Sequence, residues 1–480
     1  MSVRLRNIFW LLALIPCLVA GPGGALAAPK PILVHYMPWY ASQPFSGNWG
    51  WHWTMNHLNP NTVNPNGTQA IASWYYPLIG PYDSADPAVL EYHVLLMKLA
   101  GIDGVVVDWY GPDNFNDYAM NNQRTLALFN YTRKAGLKFS LCYEDQTIQQ
   151  EISGNFLAPG AALAHAQQTL LYAQTNFFTD PSFLRLSNAP VFFDFGPQYF
   201  KNSADWAAIF SVLDASNAPS FFTEDNRLGS ALGAFDWPPM WLTGGGTNVL
   251  SPAQLQSYLV RFEQTARGWP AFVSSAFPRF HDIYAQAGAS PSYGFLDDAG
   301  GTTLIRTLSR ALTNNSSLVH IVTWNDFGEG TIVEPTRDYG YRDLGIIQSL
   351  RRQYLDPAFA YHTNDLVLAF QFYHARKQSA NDPAGNAELD RIFTNIIAGN
   401  LALANSQLAR IGSNRPATVR PAAAGGALQS SLGGQPRPEI SASRPANFTW
   451  PGAHGLDSGT NLSVFNGGAT QVVYQAFQGQ

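Results

Sequence analysis

Eight short apolar runs alternate with longer stretches of helical character between residues 31 and 330. The runs read PILVHYMPWY, DGVVVDWYG, KFSLCYED, PVFFDFGP, PSFFTEDN, GAFDWPPMW, WPAFVSSAFPRF and LVHIVTWNDFGEG. Most begin with continuous apolar residues, which is typical of parallel strands buried on both faces. In the stretch before the second run, Leu90, His93, Val94 and Met97 follow the i, i+3, i+4, i+7 spacing of a helix, and Gly101 predicts its end.

Eight strand–helix repeats predict a (β/α)8 TIM barrel, which we place in residues 29–355. The sixth run is the weakest predicted strand, because prolines are disfavoured in a central strand. A doubly wound open sheet is the alternative architecture. The chain has 480 residues, of which 46% are hydrophobic and only 13% are charged, so one large domain with a sizeable core is expected.

The residues after the barrel divide by composition. Helical stretches around 361–377 and 386–411 predict a helical extension over residues 356–411. Residues 412–447 are rich in Gly, Ala, Ser and Pro, which is typical of a linker. Residues 448–480 are expected to form a C-terminal tail, either a hairpin docked on the barrel or a poorly ordered segment.

The first residues have the pattern of a secretory signal peptide. Arg4 and Arg6 precede an apolar run, and the small-residue sequence 25–27 predicts cleavage near residue 28. Residues 1–28 are therefore assigned to the signal, and a secreted or periplasmic protein without a stable membrane span after cleavage is expected. Cys17 leaves with the signal, so Cys142 has no partner for a disulfide or for a cysteine-based zinc site.

Charge and composition also bear on partners. The net charge is −5 and no basic stripe occurs, so nucleic acid is not an expected partner. Trp and Tyr are abundant, and their ring faces pack well against the apolar face of a sugar, although a large core uses them too. A monomer that acts on an oligo- or polysaccharide is expected.

In such a barrel the reactive groups lie at the carboxyl ends of the strands. The predicted strand ends carry carboxylates, aromatic rings and a histidine: His35, Tyr36, Trp39, Tyr40, Asp108, Trp109, Tyr110, Tyr143, Glu144, Asp145, Asp194, Glu224, Asp225, Asn226, Asp236, Trp237, Trp324, Asn325, Asp326 and Glu329. Hydrolysis of a glycosidic bond requires one protonated acid and one carboxylate near the sugar. The set of residues is therefore typical of a glycosidase.

Asp326 and Glu329 are the strongest candidates for that pair. They lie three residues apart in WNDFGEGT, and Gly330 would ease a turn between strand and loop. Two close carboxylates raise each other's pKa, so one of them can stay protonated near neutral pH. A single strand-end acid can equally cap a helix, and His35 can equally be a hydrogen-bonded core residue. A divalent cation on this rim is less favoured, since no HExxH or EF-hand pattern occurs, and no metal or cofactor is expected.

At these residues the chain resembles glycoside hydrolase family 99, the endo-α-mannosidase-like family, which is related to family 71. The family motif on the eighth strand is Asn-Glu-x-x-Glu-Gly-Thr followed by a further Glu, and here it reads NDFGEGTIVE over residues 325–334. The segments HYMPWY, WGWHWT, CYED and YYPLIGPYDSADPAVLEYHVLLMKLAGIDGVVVDWYG agree as well. The resemblance covers roughly residues 31–345.

The resemblance implies roles for individual residues. Glu329 matches the general acid/base. Asp326 matches the carboxylate that deprotonates the sugar's own 2-hydroxyl, which then attacks the anomeric carbon to give a 1,2-anhydro sugar that water opens with net retention. Glu144 matches a carboxylate that holds sugar hydroxyls. Further substrate-binding positions are expected at His35, Tyr36, Trp39, Asp108, Trp109, Tyr143 and Asn325, and Trp49 and Trp53 are expected to line subsites.

One position departs from the family pattern, because Asp326 stands where the motif has Glu. Its carboxylate reaches about 1.3–1.5 Å less far, and a misplacement of about 1 Å can lower a rate ~100-fold. The resemblance implies a secreted, endo-acting, retaining α-glycoside hydrolase that acts on α-mannan or a related polysaccharide. An α-1,3-glucanase of the family 71 kind and a catalytically inactive carbohydrate-binding barrel are the alternatives.

Overall fold

The computed structural model describes residues 30–413, with side chains to residue 411. Eight parallel strands form the centre, and we number them β1 Ile32–Tyr36, β2 Gly104–Trp109, β3 Lys138–Tyr143, β4 Ala189–Asp194, β5 Ser220–Glu224, β6 Gly233–Phe235, β7 Val273–Ala276 and β8 Leu318–Ile321. Each strand pairs in parallel with the next, and β8 pairs with β1. The sheet is closed, which confirms the (β/α)8 barrel and excludes the open sheet.

Helices surround the barrel and continue beyond it. The longer ones are α1 Pro87–Ala100, α2 Tyr118–Ala135, α3 Ala162–Ala173, α4 Ser203–Phe210, α5 Pro252–Ala266, α6 Thr302–Thr313, α7 Arg342–Tyr354, α8 Val367–Gln378, α9 Pro383–Ile397 and α10 Leu401–Ser413. Helix α1 starts and ends at residues that favour helix termini. The Asp86 side chain accepts a hydrogen bond from the Ala88 N–H at its start, and Gly101 ends it with a φ of 80°.

Short elements connect the longer ones. Two-residue strands occur at Arg185–Leu186, Phe280–His281 and Phe295–Leu296, and short α-helices at Gln43–Ser46, Trp51–Thr54 and Thr147–Ser153. Single 3-10 turns lie at Pro159–Ala161, Ala215–Asn217, Met240–Thr243, Ala299–Gly301 and Thr363–Leu366, and a π-helical turn at Gln174–Phe178. The sixth barrel strand has only three residues, Gly233–Phe235, because Pro238 and Pro239 follow and cannot donate to a ladder. Its register with β7 is a single pair, Phe235 opposite Val273.

Side chains on each strand alternate between the two faces of the barrel wall. One hydrophobic cluster fills the barrel and includes Leu33, Val106, Cys142, Phe193, Phe222, Phe235, Val273 and Leu318. A larger cluster lies between strands and helices and includes Val34, Val107, Leu141, Phe192, Phe221 and Val319. Both sets are fully buried. The alternation fixes which residues at the strand ends can reach the space above the barrel.

The extension after the barrel packs against its helices. On α8, Arg376 forms a bidentate ion pair with Glu91 of α1, with N–O distances of 2.8 and 2.9 Å, and Lys377 contacts Asp86 at 2.6 Å. The stretch expected as one helix over residues 386–411 is instead two helices, α9 and α10. Gly399, with a φ of 80°, lies at the break.

Several predictions concern residues that the structure does not describe. The signal peptide over residues 1–28, nearly all of the linker over 412–447 and the tail over 448–480 lie outside the described residues, and the domain boundaries remain predictions. Between residues 30 and 413, every helix is too short or too polar to cross a bilayer.

Candidate active site

An open cleft lies above the carboxyl ends of the strands. It is partly open to solvent, and both polar and aromatic side chains line it. Its polar lining consists of His35, His52, Asp108, Glu144, Glu224, Asp326 and Glu329. Its aromatic lining consists of Trp39, Trp51, Tyr110, Phe195, Trp237, Trp241, Phe280, Tyr284 and Tyr293. Ring faces and carboxylates together suit a ligand with both apolar faces and many hydroxyls.

A tight turn after β8 brings Asp326 and Glu329 into this cleft. The Asp326 Oδ1 accepts a hydrogen bond from the Glu329 N–H at 3.0 Å, and the Asp326 N–H donates to Thr323 Oγ1 at 2.8 Å. Gly330 has a φ of 69°, and a Cβ there would lie 2.7 Å from the His281 carbonyl oxygen. The turn therefore requires glycine at position 330. The hydrogen bond fixes the Asp326 carboxylate against the backbone of Glu329.

The two acids differ in protonation. Burial raises the pKa of Asp326 to about 6, even though backbone N–H groups of Glu329 and Gly328 stabilise its charged form. Burial, together with the negative charge of Asp326, raises the pKa of Glu329 well above its usual value. At neutral pH these shifts favour an ionised Asp326 and a protonated Glu329. One group can then accept a proton while the other donates one.

Three further carboxylates line the same cleft. Burial and the neighbouring Glu144 raise the pKa of Asp108 well above its usual value. The pKa of Glu224 is raised by burial, by Asp225 and by Glu144. Glu144 Oε2 accepts a hydrogen bond from Gln146 Nε2 at 3.1 Å. Because like charges this close disfavour one another, the cleft holds a mixture of protonated and ionised acids, which can donate to and accept from sugar hydroxyls.

His35 is held at the cleft wall by a second histidine. Its Nδ1 lies 3.1 Å from His320 Nε2, and His320 Nδ1 lies 3.4 Å from Ser275 Oγ. The His35 ring also contacts the edge of Trp237, at 5.1 Å between centroids. Burial lowers the pKa of both histidines, that of His320 to about 3. The pair is therefore neutral, and His35 serves as a hydrogen-bonding group rather than a cation.

Six of the ten predicted site residues meet in the cleft, and four do not. The six are His35, Trp39, Asp108, Glu144, Asp326 and Glu329. Tyr36, Trp109 and Tyr143 have the opposite strand parity and point toward the helices. The Tyr36 hydroxyl lies 3.0 Å from His93 Nδ1, and Trp109 Nε1 donates to Asn122 Oδ1. This corrects the expectation that these residues line the cleft, because the barrel wall separates them from it.

Asn325 is the fourth residue outside the lining. Its side chain is fully buried, accepts a hydrogen bond from the Met37 N–H and donates to the Met37 carbonyl and to the Tyr82 hydroxyl. Tyr82 in turn donates to Glu334 at 2.7 Å. Asn325 therefore joins the loop after β1 to the turn that carries Asp326, and it supports the site from below.

The aromatic lining differs from the expected one. Trp53 is fully buried and donates to the Tyr82 carbonyl, and Trp49 donates to Asn61 away from the cleft. Trp51, between them, lines the cleft instead. Glu224 and Trp237 also line the cleft, although they are not among the predicted substrate-binding residues. They lie two residues beyond the inward-facing Phe222 and Phe235, so the alternation of side chains along a strand predicts that they face the cleft. Tyr284 and Tyr293 lie on loops and Trp241 in the single-turn 3-10 helix Met240–Thr243, where no such signal exists.

Comparison with known proteins supports the predicted resemblance. The model of glycosyl hydrolase family 99 matches residues 29–220, about two fifths of the chain. The chain is therefore similar to glycoside hydrolase family 99, as its motifs predict. The similarity supports the predicted enzyme class, a glycoside hydrolase related to the endo-α-mannosidases. The matched residues include His35, Asp108 and Glu144 and end before the turn that holds Asp326 and Glu329.

The similar proteins are distant. A glycoprotein endo-α-1,2-mannosidase of Mus musculus is 22% identical over 62% of this chain and 66% of its own length, just under two thirds. A glycoprotein endo-α-1,2-mannosidase-like protein of Danio rerio is 21% identical over 63% of this chain and 70% of its own. The solved GH99 endo-α-mannosidase of Bacteroides thetaiotaomicron is 20% identical, with a TM-score of 0.47 over 72% of this chain and 99% of that one.

Proposed function

We propose that the protein is an exported, endo-acting α-glycoside hydrolase that cleaves α-mannan or a related polysaccharide with retention of configuration. The observation that carries the proposal is the pair at the β8 turn. Asp326 and Glu329 line one cleft, and their environments favour an ionised carboxylate at the first and a protonated one at the second. Such a pair is what glycoside hydrolysis requires.

In the first step, the ionised Asp326 accepts the proton of the sugar's 2-hydroxyl. The freed oxygen attacks the anomeric carbon, the bond from that carbon to the leaving oxygen breaks, and Glu329 donates its proton to the leaving oxygen. The product of this step is a 1,2-anhydro sugar. Both proton transfers use groups whose pKa is raised above that of an exposed carboxyl, that of Asp326 to about 6, which suits general acid–base catalysis.

In the second step, the ionised Glu329 accepts a proton from water as the water attacks the anomeric carbon. The bond between that carbon and O2 breaks, and Asp326 returns its proton to O2. Two inversions at one carbon give net retention. Both acids regain their starting protonation, so the cycle balances without a cofactor.

The substrate class rests on the shape of the cleft and on the relatives. The cleft is open and carries several aromatic rings, among them Trp39, Trp237 and Trp241, which suits an internal segment of a chain rather than a chain end enclosed in a pocket. The mouse and zebrafish relatives are named for endo-α-1,2-mannosidase activity. We therefore expect an α-mannan to be the better substrate and an α-1,3-glucan to be the poorer one.

The experiment compares Glu329→Gln with Glu388→Gln, a control with the same chemical change on α9, outside the barrel. Reducing ends released from α-mannan and from α-1,3-glucan are measured, and the first product anomer is followed by NMR. We expect Glu329→Gln to lose about 10²–10⁴-fold in turnover and to keep glycan binding, while Glu388→Gln stays active. Normal turnover in Glu329→Gln, or a first product of inverted configuration, would reject the mechanism.

Export to the periplasm or the medium is part of the proposal. It rests on the signal-like pattern of residues 1–28, in which basic residues precede an apolar run. Intact mass of the protein from its natural source tests it, with a mature chain that starts near residue 28 as the expected result. A chain that retains the first 28 residues would contradict export by this route.

A further inference from the structure

A second group of ligand-type side chains lies outside the cleft. Asp113 follows β2, Glu151 lies on the short helix Thr147–Ser153, and His165 lies on α3. The His165 Nε2 is 3.2 Å from Asp113 Oδ2 and 3.1 Å from Glu151 Oε2. All three ligand atoms lie within 4.8 Å of one another. Three separate segments of the chain thus bring one nitrogen and two carboxylate oxygens to one point.

The environment of Glu151 shows that the group is more than a surface cluster. Its side chain is 2% exposed, and its Oε2 lies 3.1 Å from His165 Nε2 but accepts no well-aligned hydrogen bond. A buried carboxylate oxygen whose contact with a donor is poorly aligned is unfavourable and unusual in folded proteins. The oxygen points into the space that it shares with Asp113 and His165, where a cation would satisfy it.

The two separations from the histidine suit coordination to one ion. For metal–ligand distances of about 2.1 Å, His165 Nε2 and either carboxylate oxygen, 3.1–3.2 Å away, subtend about 95–100° at the metal. This angle lies between the octahedral and tetrahedral values. Asp113 and His165 also border a surface groove, through which an ion and its remaining water ligands could enter.

We propose that Asp113, Glu151 and His165 bind a divalent transition-metal ion of the Zn²⁺ type. An imidazole nitrogen with two carboxylate oxygens favours such an ion over Ca²⁺, which prefers oxygen ligands alone. The site joins the segment after β2, the helix after β3 and α3. Asp108 and Glu144 lie at the carboxyl ends of β2 and β3, so the ion would stabilise one side of the cleft without contacting substrate.

The alternative is an ion pair without metal. Contact with the Asp113 and Glu151 carboxylates raises the pKa of His165 to about 10, so a proton can occupy the place of the ion. The experiment must separate these two states, and it must do so without an activity assay, so that its failure is distinct from failure of the proposed hydrolase function.

The test uses the full chain, freed of metal with a chelator and titrated with Zn²⁺. Metal content by mass spectrometry, Zn²⁺ affinity against a competing chelator, and the thermal midpoint are measured. We expect one Zn²⁺ per chain and a higher thermal midpoint with Zn²⁺. In Asp113→Asn and His165→Gln the affinity should fall at least about tenfold and the thermal response should disappear. His374→Gln, a partly exposed histidine on α8 remote from the group, is the matched control and should behave like the unaltered chain.

Three results would overturn the proposal. Failure of the unaltered chain to retain Zn²⁺ would leave a histidine–carboxylate ion pair only. Zn²⁺ binding that is unchanged in Asp113→Asn would place the ion elsewhere. A thermal response to Ca²⁺ but not to Zn²⁺ would reject the transition-metal class. Asp113 is the most exposed of the three side chains, so Asp113→Asn keeps the test decisive if His165→Gln does not fold.

Discussion

Glu144 and Asp145 are adjacent in sequence and lie on opposite faces of the barrel wall. Glu144 lines the cleft. Asp145 is fully buried and accepts hydrogen bonds from the backbone N–H groups of Gln198, Tyr199 and Phe200, at 2.7, 2.9 and 2.7 Å. Both are acids at the end of the same strand. Their different surroundings show that the face of the strand, rather than the residue type, decides whether an acid is available to substrate.

The same contrast recurs around the barrel. The inward residue lines the cleft and its neighbour supports the wall in three further pairs: His35 with Tyr36, Asp108 with Trp109, and Glu224 with Asp225. The period of two along a strand explains this regularity. The inward set comes together because parallel strands end at the same rim.

The largest effect is expected at Asp326, whose side chain both lines the cleft and accepts backbone hydrogen bonds. Asp326 accepts backbone hydrogen bonds as Asp145 does and lines the cleft as Glu144 does. Asp326→Glu restores the family residue but extends the side chain by about 1.5 Å. Because this turn positions the shorter side chain, we expect kcat to fall about 100-fold, measured on α-mannan.

Asp338→Glu, at an exposed position, is the control for this change and should leave kcat unaltered. Equal or faster turnover in Asp326→Glu would show that the turn does not set the position of the base, and the proposed role of its backbone hydrogen bonds would be wrong.

Substitutions of Glu144 and Asp145 should affect different properties of the protein, because only Glu144 faces the cleft. Glu144→Gln removes a charged hydrogen-bond acceptor worth about 1.5–3 kcal/mol to the substrate, so kcat/KM should fall about 10–100-fold with little change in stability. Asp145→Asn puts an N–H group against backbone donors, so it should lower the free energy of unfolding by about 2–4 kcal/mol and leave kcat/KM of the folded protein nearly unchanged. Urea unfolding and steady-state kinetics measure both. The reverse pattern would contradict the assignment of faces.

Much of the fold could be predicted from sequence because local signals agreed with the tertiary structure. Each apolar run contains a barrel strand, and Gly101 ends α1 as its sequence indicates. The extension was less predictable. Apolar residues on α9 and α10 continue one helical pattern, and only Gly399 marks the break. A single glycine inside a helical pattern is tolerated often enough that it does not by itself predict two helices.

The candidate site was predictable where one short segment supplies it. Asp326, Glu329 and Gly330 form one turn, so their proximity follows from sequence distance alone. The family resemblance predicts Tyr36 and Trp109 in the cleft, but alternation from Leu33 and Val106 places them on the other face. Tyr284 reaches the cleft from a loop and Trp241 from a single-turn 3-10 helix, and the positions of such segments depend on tertiary packing rather than on a local period.

The pH dependence of kcat/KM should report the inward carboxylates. Asp326 must be ionised to accept a proton, and its pKa is about 6, so kcat/KM should fall about tenfold per pH unit below that value. At high pH the rate should fall again as Glu329, whose pKa is also raised, loses its proton. Circular dichroism over the same range controls for unfolding. A rate that is constant from pH 4 to 7 would remove Asp326 as the base.

The smallest effects are expected from aromatic residues on the two faces. Trp241 lines the cleft, so Trp241→Leu should raise KM about 3–10-fold through loss of ring contact worth about 0.5–1.5 kcal/mol. Tyr36 lies behind the wall, where its hydroxyl contacts His93 at 3.0 Å. Tyr36→Phe should therefore lower stability by about 1 kcal/mol and leave KM unchanged. If Tyr36→Phe raised KM as much as Trp241→Leu, substrate would be in contact with both faces, and the separation of binding from support by strand parity would fail.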